Sequence, residues 1–240
     1  MASFVLVHGG FHGGWCWSRL TPRLQALGHR VAAPDLKGLG DDTTPPGEVT
    51  LALWARQIAE LAQAGPEPAI LVGHSRGGVV IGEAAELCPE AVRELVYLSA
   101  YLLVDGETMQ QAGRRFGTSV GRVVTPDPQR GCFDIDLAAA RTLFYSGCSA
   151  ADADWALARL RPEPLAPVST PARLSDARYG RVPRSFIACD RDASIPPASQ
   201  DAMLERLPCR RLSLDTGHAP MLSHPDELAA VLDQIARDPA

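Results

Sequence analysis

The chain has 240 residues, of which 46% are hydrophobic and 21% charged, with a formal net charge of −5. That is the make-up of a globular α/β-sized chain that buries a large core without covalent staples. The mildly acidic balance and the lack of any like-charge run exclude the electrostatic footprint of a nucleic-acid or anionic-membrane binder. Six cysteines, Cys16, Cys88, Cys132, Cys148, Cys189 and Cys209, form no C-x-x-C and no dense framework. They read as reduced thiols. The opening Met1–His8 has no basic region, and its apolar run is too short for a signal peptide or a membrane span. A cytoplasmic location is the expectation.

Taken in chain order, short apolar runs alternate with helical patterns. Phe4–Val7 predicts a buried strand that runs into His8-Gly9-Gly10. Trp15–Leu27 has helical spacing and stops at Gly28. Val31–Ala33 predicts a second strand, closed by Pro34. Thr50 can cap a helix over Leu51–Ala64, which Gly65-Pro66 ends. Ala69–Val72 predicts a third strand, Arg76–Leu87 a helix and Leu95–Leu98 a fourth strand. The rhythm then breaks over 101–182. This stretch has helical pieces at Leu137–Tyr145 and Ala151–Leu160, many prolines and no convincing strand. Afterwards Ser185–Cys189 (strand), Ala198–Leu207 (helix), Arg211–Leu214 (strand) and Asp226–Ala236 (helix) restore the alternation. Such alternation predicts a six-stranded, mainly parallel, doubly wound sheet. The core is assigned to 1–100 and 183–240, and a helical lid is inserted at 101–182. No internal repeat interrupts the pattern.

Gly73-His74-Ser75-Arg76-Gly77 matches G-x-S-x-G between a strand and a helix. In that context the motif is a nucleophile elbow: the glycines permit a turn too tight for side chains, which lifts the serine hydroxyl clear of the sheet. A serine needs a base. Sites on open α/β sheets lie beyond the carboxyl ends of the strands. The triad order in this arrangement is serine, then acid, then histidine, which leaves His218 and His224, and His224 already opens the last helix. His218 is therefore the expected base. The acid should end the strand before it. Asp190 and Asp192 both do so, and the loop position of Asp192 suits the reach to His218 Nδ1 better; Asp35 and Asp105 are weaker candidates. Oxyanion donors are expected from the backbone N–H of Arg76 and, in the glycine-rich loop His8–Gly14, from that of Gly10. His8 and His12 lack a third ligand at suitable spacing, so no metal is expected.

Several blocks resemble the methylesterase/hydroxynitrile lyase family of α/β hydrolases. They are Val5–Trp17, Pro34–Gly40, Gly73–Gly78, Asp192–Pro196 and Asp215–Met221. The resemblance implies an α/β-hydrolase fold, no cofactor, and oxyanion donors at Gly10 and Arg76. It also implies an acid four residues before a proline, which selects Asp192. Lyases of the family carry a threonine after the first histidine and a lysine after the catalytic one; here Gly9 and Ala219 stand there. The expected activity is hydrolysis of a small carboxylic ester or lactone through an acyl-enzyme. The alternatives are a lyase using the same triad as base, or a ligand receptor with weak turnover. The expected partner is the small-molecule ester, with no nucleic acid or membrane, and a homodimer is left open. Phe116, Phe133, Phe144, Tyr145 and Trp155 are candidates to line the pocket. The Arg76 side chain is placed near its mouth, in a surface ion pair or on a substrate carboxylate.

Overall fold

A computed structural model describes every residue of the chain except Pro239. The chain begins with β1 (Ser3–Val7), α1 (Leu20–Ala26), β2 (Arg30–Ala32), α2 (Leu51–Gln63), β3 (Ala69–His74), α3 (Gly77–Leu87) and β4 (Val92–Leu98). Then come α4 (Met109–Phe116), β5 (Val124–Asp127), β6 (Cys132–Ile135), α5 (Leu137–Tyr145), α6 (Ala150–Leu157), β7 (Glu163–Pro164) and α7 (Leu165–Ser169). The last run is β8 (Arg184–Cys189), α8 (Pro197–Arg206), β9 (Arg210–Leu214), α9 (Pro220–Ser223) and α10 (Pro225–Arg237).

Six strands form one sheet in the order β2-β1-β3-β4-β8-β9, and every neighbouring pair is parallel. Parallel strands need crossovers that cover both faces, and the strand sequences show it. Val5, Val7, Leu71, Leu95, Tyr97, Phe186 and Ala188 point into one core with α2 and α3. Their neighbours Phe4, Leu6, Ile70, Val72, Val96, Leu98, Ile187 and Cys189 point into the other, against Leu20 and Leu24 of α1 and Leu228, Leu232 and Ile235 of α10. Strand side chains alternate between faces, so near-continuous apolar runs are what two buried faces require. Helix α2 shows the complementary pattern: Leu51, Trp54, Ala55, Ile58, Ala59 and Ala62 make one buried stripe, and the Thr50 hydroxyl accepts from Leu53 N–H as its cap.

The first helix is shorter than its apolar spacing predicts. Gly14–Trp17 is a 3₁₀ turn, and α1 starts at Leu20. Pro22 lies in the first turn of α1, where a missing N–H is tolerated; within a helix begun at Trp15 it would break the ladder.

The segment between β4 and β8 corrects the strandless, purely helical reading of 101–182. Beside α4 to α7 it holds a three-stranded antiparallel sheet, β5-β6-β7, with Phe133 paired to Glu163. The six cysteines are free. Among the described residues no helix is long and apolar enough to cross a membrane.

The sheet order places the site. The chain steps from β1 to β2 on one side, then from β3 through β4 and β8 to β9 on the other. The crevice at this switch point lies between the carboxyl ends of β1 and β3. Val7 is in register with Gly73, so the loops after these two strands emerge side by side.

Candidate active site

Four loops at the carboxyl ends of the sheet supply the polar residues. Ser75 follows β3, Ser99 follows β4, Asp192 follows β8 and His218 follows β9. Ser75 has φ +54°, a left-handed conformation that a non-glycine residue holds only under strong local constraint. The constraint is visible in the backbone. Ser75 N–H donates to Leu98 O at 3.2 Å, and Ser75 O accepts from Gly78 N–H and Tyr101 N–H, each at 3.1 Å. The two motif glycines are sterically required. A Cβ on Gly73 would lie 2.6 Å from Gly77 O, and one on Gly77 would lie 2.6 Å from Val7 O. Helix α3 then starts immediately behind the serine.

His218 is buried, and its Nδ1 lies 2.6 Å from Asp192 Oδ2. The same oxygen accepts from the Ser99 hydroxyl. The other oxygen, Oδ1, accepts from Ser194 N–H at 2.7 Å and Ile195 N–H at 2.9 Å. Ser99, Ser194 and Ile195 all donate to this carboxyl group, which presents Oδ2 as an acceptor to His218 Nδ1 and so matches a proton on that nitrogen. Nε2 is then left as the acceptor. Asp190 is exposed and lies outside this network. Asp35 instead accepts from Gly14 N–H at 2.6 Å and Asp41 N–H at 3.0 Å, and Asp105 accepts from Leu174 N–H at 2.9 Å. Both are occupied in holding loops. His224 sits at the start of α10, next to Ser223 Oγ at 2.9 Å. Ser75 and His218 line one cavity; the Ser75 hydroxyl makes no hydrogen bond among the described residues.

The remaining histidines hold backbone. His74 Nε2 lies 2.8 Å from His218 O and donates to it, so it buttresses the loop that carries the base. His12 Nδ1 donates to Gly10 O at 2.6 Å, while Nε2 accepts from Tyr145 OH at 2.8 Å. His8 Nδ1 donates to Gly9 O at 2.9 Å, and Nε2 accepts from Leu36 N–H at 3.1 Å. Burial, above all, pushes His8 and His74 well below the ordinary imidazole range and His12 down to about 4. They are therefore neutral, as the donor–acceptor pairs of His8 and His12 require; His74 Nδ1 has no hydrogen-bond partner among the described residues. Among the described residues no group of three His, Cys, Asp or Glu is arranged to hold a metal ion.

Gly10 and Arg76 line the same cavity as Ser75, and neither backbone amide has a hydrogen-bond partner among the described residues. The Arg76 side chain departs from its expected place at the surface. It is 3% exposed, with Nε 2.8 Å from Oε1 of the equally buried Glu163. Nη2 donates to Gly9 O at 2.9 Å, and the guanidinium lies 4.1 Å from the Trp54 ring centroid. The pair is a charge contact rather than an aligned hydrogen bond, because Nε and Nη1 of Arg76 and Oε1 of Glu163 have no hydrogen-bond partner. Burial lowers the arginine and raises the glutamate from their ordinary values, and their mutual attraction opposes both shifts. Glu163 Oε2 accepts from Phe11 N–H at 2.7 Å. No motif marks Glu163; only the fold brings position 163 to the loop at 9–11.

Two chambers meet here. One of about 30 Å³ is lined by Ser75, His218, His12, Gly10 and Phe144. The other, of about 520 Å³, is lined by Gly113, Val124, Phe133 and Val168 among others, with Arg114 and Arg122 also on its wall. Phe11, Tyr101, Met109, Val120 and Glu163 line both. Of the five aromatic residues singled out from the sequence, Phe144 and Phe133 line these chambers. Tyr145 binds His12, Trp155 packs edge-on against Trp15, and Phe116 packs against the core.

The alpha/beta hydrolase family model matches residues 4–231. Methylesterase 1 of Arabidopsis thaliana is 31% identical over 250 residues, covering 97% of this chain and 95% of the relative. The chain spans 64% of the length of a longer chloroplastic relative from the same plant. Among solved structures, a pyrethroid hydrolase from Sphingobium faniae JZ-2 superposes with a TM-score of 0.89 at 27% identity, covering 99% of this chain and 98% of that one. Polyneuridine aldehyde esterase superposes with a TM-score of 0.88 at 27% identity, covering 98% and 99%. The chain belongs to the alpha/beta hydrolase family, among the relatives of the plant methylesterases.

Proposed function

We propose that the protein is a carboxylic ester hydrolase that works through an acyl-enzyme on Ser75. The observation that carries this reading is Ser75 at a strained elbow, in one cavity with a His218 whose Nδ1 is committed to Asp192. In the reaction, Ser75 Oγ attacks the ester carbonyl while His218 Nε2 takes its proton, and Asp192 stabilises the imidazolium. The unpartnered amides of Gly10 and Arg76 receive the oxyanion. His218 then protonates the leaving alcohol. Water then enters, gives a proton to His218 Nε2 and adds to the acyl carbon. The intermediate collapses with cleavage of the bond to Ser75 Oγ, His218 returns the proton to that oxygen, and the acid leaves. The names of the relatives, a methylesterase, an esterase and a pyrethroid hydrolase, support carboxylic esters as the substrate class.

The two chambers suit an ester, or a lactone, with a compact group beside Ser75 and a bulkier apolar portion in the 520 Å³ cavity. The lyase alternative has less support. A Cβ on Gly9 would stand 3.0 Å from His74 Nδ1 and 3.2 Å from Ser75 Cβ, so the threonine of the lyases would crowd the nucleophile. Ala219 supplies no cation for a leaving cyanide. The test is a panel of methyl and p-nitrophenyl esters graded in acyl size, run beside mandelonitrile. Turnover of esters with bulky apolar acids, without cyanide release above the buffer rate, is expected. Cyanide release without ester turnover contradicts the reading, and saturable ester binding without turnover points to the receptor.

A further inference from the structure

Arg76 touches the site twice. Its backbone N–H is one of the two free amides beside Ser75, and its side chain passes behind the other. In a trans peptide the carbonyl and the following N–H share one plane and point in opposite directions. Gly9 O and Gly10 N–H belong to the same peptide unit. Gly9 O accepts from His8 Nδ1 and from the buried guanidinium, each at 2.9 Å, and the guanidinium is the second donor that fixes the direction in which Gly10 N–H points. Glu163 fixes the next unit by accepting Phe11 N–H at 2.7 Å. His12 takes the Gly10 carbonyl of that same unit at 2.6 Å. Phe11 has φ +65°, outside the conformations a phenylalanine adopts by itself, so this grip must exceed a local strain.

Charge adds a second requirement. A Cβ built on Gly10 would lie 3.5 Å from the Glu163 carboxyl carbon, so this carboxylate sits against the loop that must receive a negative oxygen. Alone, it would repel the transition state. The Arg76 guanidinium neutralises it at 2.8 Å. A buried pair of this kind is weak evidence for stability, because desolvation offsets much of the attraction, and a role in positioning explains its presence better.

We propose, on the ester-hydrolase reading above, that Arg76 and Glu163 are positioning residues. The guanidinium aims the Gly10 amide and cancels the Glu163 charge, while Glu163 pins Phe11 and ties β7 to the oxyanion loop.

The experiment compares kcat and KM for R76M, E163Q, R76K and the double variant R76M/E163Q on a methyl ester and on the matching p-nitrophenyl ester, with thermal melts as a fold check. R76M keeps the backbone amide but leaves Glu163 unpaired. It should lose about 10²–10³ in kcat, the scale of a removed oxyanion donor, with KM changed less than about threefold. E163Q still accepts from Phe11 N–H and should lose about tenfold. The double variant should turn over faster than R76M by about tenfold, because the unpaired charge is gone. If R76M does not fold, R76K carries the test. It keeps the charge but not the second donor on Gly9 O, and should lose about tenfold in kcat. R76M with kcat within about threefold of the parent, a double variant no faster than R76M, or a loss confined to KM or melting temperature overturns the proposal. Amide exchange of the peptide spanning 8–12 separates this from the chemistry. Faster exchange at Phe11 in Glu163→Met supports the pinning even if no ester is turned over; unchanged exchange overturns it.

Discussion

Replacing Asp192 by asparagine changes one atom and forces a specific rearrangement. The carboxylate accepts four hydrogen bonds, two on each oxygen. Asparagine offers one acceptor oxygen and one donor NH₂. The Ser194 and Ile195 amides cannot stop donating, so the amide oxygen must face them. The NH₂ then falls opposite Ser99 Oγ and His218 Nδ1. Ser99 can rotate its hydroxyl and accept. His218 can accept only by moving its proton to Nε2, which is the position that must take the proton of Ser75. The wrong tautomer costs about 10⁴ in kcat, or roughly 5 kcal/mol of barrier. The neutral amide also weakens bonds that a charge had strengthened, so the melting temperature should fall modestly. Steady-state kinetics on a p-nitrophenyl ester, with Asp190→Asn as the exposed control, checks the reasoning. Asp192→Asn should lose about 10⁴ in kcat, and Asp190→Asn should stay within about twofold, as a surface change does. A loss under tenfold for Asp192→Asn in a folded protein, or a larger loss for Asp190→Asn, refutes it.

Ser75→Gly should abolish turnover yet raise the melting temperature by about 2–4 °C, because it relieves roughly 1 kcal/mol of left-handed strain; an unchanged or lower melting temperature argues against a strained elbow. Gly9→Thr should lower kcat without creating cyanohydrin cleavage, since its Cβ would press on Ser75 Cβ from 3.2 Å, and parental ester turnover in that variant would show that the loop yields. Stability should fall with acid well before the carboxylates titrate. His12 is held down to about 4, so the unfolded chain binds a proton near pH 6.5 that the folded one refuses. The stabilisation is complete above pH 6.5 and is lost as pH falls towards 4, by roughly 3 kcal/mol, with His8 and His74 acting in the same direction. Denaturant titrations between pH 7.5 and 5 should show this slope, and His12→Gln should flatten it by about one proton; an identical slope in the variant contradicts a neutral, buried His12.

The parts legible in the sequence are those that local rules control. The strand–helix rhythm encodes the six-stranded sheet because the central strands β1, β3, β4 and β8 are buried on both faces and read as apolar runs, while the edge strands β2 and β9, partly exposed, leave only short apolar traces. Gly73, Ser75 and Gly77 stand out because sterics at one turn demand them. Asp192 separates from Asp190 once a proline four residues on is matched to the family pattern. The illegible parts depend on distant residues. Strands β5, β6 and β7 have four, four and two residues, and Pro126 and Pro164 lie within β5 and β7. No periodicity survives at that length. Helix α4 did leave a signal: Thr108 and Gln111 form a reciprocal capping box, and Gly117 closes the helix in the left-handed conformation. Arg76 reads as a surface residue from its charge alone. Only the close approach of Glu163, far along the chain, makes it a buried one.

The most direct test of the central claim is where covalent chemistry occurs. The protein is incubated with a fluorophosphonate, and separately with a p-nitrophenyl ester under rapid acid quench, and the modified peptide is sequenced by mass spectrometry. One stoichiometric phosphonyl group and a transient acyl group, both on Ser75 and both absent from Ser75→Ala, are expected. A stable label on another serine, or ester turnover that persists in Ser75→Ala, would contradict the account.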